Sequence, residues 1–167
     1  MKPIDQDTID FAEDFFFKLS EAQLREMITE FKKKQWELCK LLTSFESEFE
    51  SQKNKSIVWR FGLITDYCFN SFYGRLPVIS LQTIQDYFDR EIKASQNKPN
   101  QNDKIDYDSQ MDAIGQPELM FCLGTKINDF FNEKILDDEG ANKMMLGILS
   151  IGELYKNEAE KLYLEEK

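Results

Sequence analysis

The stretch SIVWRFGLITDYCFNSFY, Ser56 to Tyr73, carries apolar residues on nearly every side of a helix. At 100° per residue, Ile57, Phe61, Ile64, Cys68 and Phe72 form one face, flanked by Val58 and Phe69. Trp59, Leu63 and Tyr67 share the opposite side with Asp66 and Asn70. A helix that is apolar all round must be covered on two sides, so this segment predicts the central element of a core. Gly74 is placed to supply a left-handed residue at its end, and Pro77 discourages continuation.

The rest of the chain offers helices to do the covering. Seven glycines and four prolines interrupt 167 residues, and the apolar spacing is three and four almost throughout. Residues 7–20 put Ile9, Ala12, Phe16 and Leu19 on one stripe, with Asp7 or Thr8 as cap. Ser20 and Gln23 read as a capping box that opens a second helix. From there Leu24, Met27, Ile28, Phe31, Leu38, Leu42, Phe45 and Phe49 follow one stripe, which only Gln35 interrupts. This predicts a continuous helix of roughly 30 residues, about 45 Å long.

Ser80 caps a further helix with Leu81, Ile84, Phe88 and Ile92 facing inward. Pro117 opens another at its first position, with Leu119, Leu123, Ile127 and Phe130 as its stripe. Met144, Ile148, Ile151, Tyr155, Ala159 and Leu162 mark the last. The run SQNKPNQNDKIDYDSQ has no periodicity and predicts a polar loop near residues 95–110. The expected architecture is all-α: a single bundle-like domain, residues 1–167, of about six helices.

Composition excludes several chemistries. There is no histidine, which removes Ser-His-Asp and Cys-His nucleophile pairs, HExxH zinc sites and the histidine ligands of carboxylate di-iron bundles. The cysteines Cys39, Cys68 and Cys122 form no CxxC pair and are odd in number, which favours a reducing compartment over a disulfide framework. The formal net charge of -10 disfavours direct nucleic-acid binding and suits a basic partner surface. No secretory leader and no run of apolar residues long enough for a membrane span is seen, so a cytoplasmic location is expected.

Specific motifs are few. DDEGANK does not fit a calcium loop, because Gly140 at the sixth position puts Ile135 first and Leu146 twelfth. Gly147 and Gly152 in GILSIG lack the Lys-Ser/Thr of a phosphate loop and read as places where a helix approaches closely. Asp86 with Asp89, and Glu46 with Glu50, have spacings seen in helical magnesium-dependent nucleotide hydrolases, but no ExxE element accompanies them. Solvated helix faces produce the same spacings.

Two tryptophans lie off the apolar stripes. Trp36 falls on the charged side of its helix near Lys32, Lys33 and Lys40. Lysine stems packed over the ring account for this without a partner, whereas tryptophan enrichment at binding hot spots points to one. Trp36, Lys33, Lys40 and Trp59 are therefore the candidate partner-binding residues, with no catalytic residue, metal ligand or cofactor assigned. The expected function is non-enzymatic: an acidic helical protein acting through protein–protein interaction, as an adaptor, inhibitor or immunity-type factor. The alternatives are a magnesium-dependent nucleotide hydrolase and an acidic nucleic-acid mimic. A second copy of the chain would cover a wide apolar stripe equally well, which leaves a homodimer open.

Overall fold

The computed structural model describes residues 2–74, 76–96 and 107–165. Among them the chain forms eight helices and no strand: α1 Gln6–Lys18, α2 Glu21–Lys34, α3 Trp36–Ser47, α4 Gln52–Tyr73, α5 Leu81–Gln96, α6 Tyr107–Ile114, α7 Pro117–Asn132 and α8 Asp138–Glu165. The fold is all-α as expected. The two helices beyond six arise from a break at Gln35 and from the short α6.

The sequence reads most directly in α4. Every residue from Ser56 to Thr65 is buried, because α1, α2, α3 and α8 all pack against this helix. Gly62 lets α3 come close: a Cβ there would lie 2.7 Å from Leu42 Cδ1. α8 is the second long element and contacts α3, α4, α5, α6 and α7. Met144, Ile148, Ile151, Tyr155 and Ala159 of its predicted stripe are buried. Gly152 holds Met120 Cε and Ile114 Cδ1 within 3.1 and 3.2 Å of where a Cβ would sit, whereas Gly147 has ordinary room.

Local signals explain the helix ends. Ser20 and Gln23 form the capping box, and Pro117 opens α7. The cap of α1 is Asp5, whose side chain accepts from the Thr8 N–H at 2.9 Å, so Asp7 and Thr8 lie inside the helix. Asp137 caps α8 by accepting from the Gly140 N–H at 2.8 Å. Gly74 has φ +79° and ψ -175°, a positive-φ conformation that is extended rather than left-handed helical and is open essentially to glycine.

The long helix expected over residues 20–50 is two helices. Gln35 is buried and leaves helical geometry at φ -131°, ψ 57°. Its Oε1 accepts from the Ile79 N–H at 3.0 Å. A buried amide must find partners, and turning the chain here satisfies both groups. Gln116, before α7, repeats the device: φ is -132°, ψ is 62°, and Oε1 accepts from the Ile4 N–H at 2.7 Å.

α5 is rotated from its expected setting. Ile84 and Tyr87 are buried, whereas Leu81, Phe88 and Ile92 are exposed. Two hydrogen bonds to α8 fix this orientation: Thr83 Oγ1 to Glu158 Oε1 at 3.1 Å, and Tyr87 OH to Ser150 Oγ at 3.0 Å. The centre of the polar loop expected near 95–110 lies outside the described residues. At its edges α5 continues to Gln96 and α6 begins at Tyr107.

Candidate functional site

Arg60 leaves the apolar surroundings of α4 to cap another helix. Its guanidinium is buried and donates to the main-chain oxygens of Phe16 and Leu19, the latter at 2.9 Å, and reaches Glu21 Oε1 at 3.4 Å. These carbonyls end α1, where a cation complements the helix dipole. Arg60 is thereby committed to the frame and is not offered to a ligand.

One helical turn further along α4 stands a cleft of about 570 Å³ between α1, α2, α4 and the chain around Leu76 and Val78. That volume lies in the range of small-molecule sites. Phe16, Phe31, Leu63 and Tyr67 are among its apolar walls. Asp66 and Asn70, the polar pair on the second face of α4, sit within it. Asp66 Oδ1 accepts from Tyr155 OH at 2.5 Å and from Asn70 Nδ2 at 2.9 Å. Asn70 Oδ1 in turn accepts from the Leu76 N–H at 3.0 Å. The second carboxylate oxygen, Oδ2, takes no hydrogen bond among the described residues. Burial raises the Asp66 carboxyl above its ordinary range, against the lowering effects of the Tyr155 hydrogen bond and of Lys34. The same burial, with the Asp66 carboxylate beside it, raises the Tyr155 hydroxyl well above its ordinary range, so that hydroxyl stays a donor.

An aromatic cluster adjoins this cleft through Phe16 and Tyr67 of its wall. Phe11 stacks on Phe15 at 5.9 Å and meets Tyr67 at 5.6 Å, while Phe16 lies 5.1 Å from Phe15 and 6.0 Å from Tyr67. Phe11 and Phe15 are exposed. On the opposite rim Lys33 pairs with Glu30 at 2.5 Å, and Lys34 stands beside them without an ion pair among the described residues. Val78 also lines the cleft, and Trp36 directly follows Gln35, another of its lining residues.

The candidate residues separate accordingly. Trp36 is 56% exposed at the first turn of α3, with Lys40 Nζ 5.3 Å from its ring centre. Lys40 also pairs with Glu37 at 2.9 Å. Lys33 lines the cleft. Trp59 does not belong with them. At 5% exposure it lies inside the core, because neighbouring helices cover both sides of α4, and it presents no surface to a partner.

Two features escaped the sequence reading. Phe11 lies opposite the Ile9–Ala12–Phe16 stripe and Phe15 at its edge, the same off-stripe signal that singled out Trp36. Phe121, 72% exposed, stands likewise opposite Leu119 and Leu123. It lines a second groove, about 540 Å³, between α1 and α7. There Glu13 pairs with Lys126 at 2.8 Å and accepts from the Cys122 thiol at 3.0 Å. Burial, then the Glu13 carboxylate, pushes Cys122 up to about 12. Burial pushes Cys68 up to about 12 as well. Neither thiol is poised as a nucleophile.

Among the described residues no three cysteine, aspartate or glutamate side chains converge as a metal ligand set. Asp86 instead accepts from Gln82 Nε2 at 2.8 Å on the outside of α5. No helix among them is long and apolar enough to cross a membrane. No protein-family model matches the chain, and neither curated proteins nor solved structures give a match.

Proposed function

We propose that this protein acts by binding another protein through Trp36, the α1–α4 aromatic cluster and the cleft that Phe16 and Tyr67 of that cluster line. One observation carries the reading: exposed Phe11 and Phe15 pack on Tyr67 and Phe16 of the cleft wall, exposed Val78 lines the same cleft, and exposed Trp36 directly follows Gln35 of its lining. Aromatic side chains of this kind supply most of the energy at protein interfaces. Glu30–Lys33 and Glu37–Lys40 pair locally on this face, which leaves Lys34 as the lysine of the cleft lining without an ion pair among the described residues. On this reading the chain is an adaptor, inhibitor or immunity-type factor. The free state of Cys39, Cys68 and Cys122 is in keeping with a cytoplasmic setting.

A photo-reactive p-benzoylphenylalanine at position 36 tests the face directly. It should cross-link a partner in cells, whereas the same group at position 121, in the α1–α7 groove, should not. Cross-linking at 121 alone would move the interface to the other groove and contradict the assignment.

A further inference from the structure

The interior of the cleft carries an arrangement that partner docking does not require. Asp66 is a carboxylate set among apolar walls, where ionisation is costly unless a cation meets it. Tyr155 and Asn70 hold one of its oxygens and so fix the direction of the other. An asparagine would serve Tyr155 equally well as acceptor, so the hydrogen bonds alone do not explain the acid. Of the remaining charged groups lining the cleft, Glu30 and Lys33 neutralise each other at 2.5 Å. That leaves one carboxylate oxygen within and one ammonium, Lys34, on the rim, near enough for the cation to favour the Asp66 carboxylate but with no hydrogen bond or ion pair joining them among the described residues. Phe16, Phe31, Leu63 and Tyr67 supply apolar wall around them.

We infer that the cleft is a binding site for a small organic ampholyte, an ammonium group and a carboxylate on an apolar body, such as a hydrophobic α-amino acid. The ammonium meets Asp66 Oδ2, the carboxylate meets Lys34 Nζ, and the apolar body packs on the rings. Charge-assisted hydrogen bonds at both ends give orientation, and the walls shield the apolar body from water. This inference stands apart from partner binding, because it concerns the purified chain alone.

The test is calorimetric or NMR titration with L-phenylalanine, L-leucine, phenethylamine, which lacks the carboxylate, and 3-phenylpropionate, which lacks the ammonium. Wild type should bind L-phenylalanine most tightly and 3-phenylpropionate least. Asp66→Asn keeps an acceptor for Tyr155 and should weaken L-phenylalanine and phenethylamine by roughly tenfold or more. Lys34→Met, on an exposed position, should weaken L-phenylalanine but leave phenethylamine unchanged. The inference is overturned if neither amino acid binds wild type at about 10 mM, a level that detects even weak sites. It is equally overturned if Asp66→Asn binds as wild type does, or if 3-phenylpropionate binds best.

Discussion

Gln35 Oε1 accepts a hydrogen bond from the Ile79 N–H at 3.0 Å, joining the α2–α3 break to the segment that leads into α5. The contact is buried, so both groups would be left without partners if either were removed. Trp36 follows the turn at Gln35 and begins a new helix instead of continuing α2.

Replacement of Gln35 by methionine keeps length and volume but leaves the Ile79 N–H unpaired. The expected cost is about 1–3 kcal/mol, read from the denaturant midpoint at unchanged m-value. Stability equal to wild type would mean that the break is held by something else.

Arg60→Met should be more damaging, about 2–4 kcal/mol, since it strips the end of α1 of charge-assisted hydrogen bonds in a buried setting. Glu21→Gln should change stability by less than about 0.5 kcal/mol, because the Glu21 side chain is largely exposed. A large effect of Glu21→Gln would show that the ion pair, not the capping of carbonyls, holds Arg60.

Phe61 is buried in α4 beside Phe17 and Phe130, at 5.7 and 6.5 Å. Phe61→Ala should cost about 3–5 kcal/mol. A near-neutral result in thermal or chemical denaturation would remove α4 from the centre of the core.

Asp66 gives a signed pH dependence. Burial raises its carboxyl above the ordinary 3.8, so the folded protein keeps a proton that the unfolded chain has released. The contribution of this group to stability is greatest below 3.8 and is lost as pH rises through the raised value. Asp66→Asn does not titrate. The stability of the variant relative to wild type should therefore rise between about pH 3 and about pH 7. A relative stability that stays flat or falls over that range would contradict the assignment.

The thiols should be silent in the native state. Cys39 and Cys68 are buried, and Cys122 donates to Glu13. A thiol reagent at about pH 8 should label all of them slowly in the folded protein and rapidly after denaturation. Fast native labelling of Cys122 would mean that its thiolate forms more readily than its surroundings imply.

What could be read in advance follows the range of each interaction. α4 and α8 were legible because apolar spacing dictates burial locally. The break at Gln35 was visible as a polar residue in a stripe, but its meaning depends on Ile79, 44 residues away. α6 was missed because YDSQMDAI is short and mostly polar, with Tyr107, Met111 and Ile114 tying it to the core. The face of α5 was misjudged because hydrogen bonds from Thr83 and Tyr87 to α8 outweigh the burial of Phe88. At the site, Asp66 and Asn70 could be paired by helical spacing, whereas Tyr155 enters from α8 with no local signal. Trp59 was misassigned because an off-stripe position implies exposure only when one side of the helix faces water.

The most direct test of an interaction role is affinity capture from native cell extract with wild type and Trp36→Ala, after their melting temperatures have been shown to agree. A partner held by wild type and lost by Trp36→Ala is the predicted result. The same partner held equally by both, or no partner captured by wild type, would contradict it.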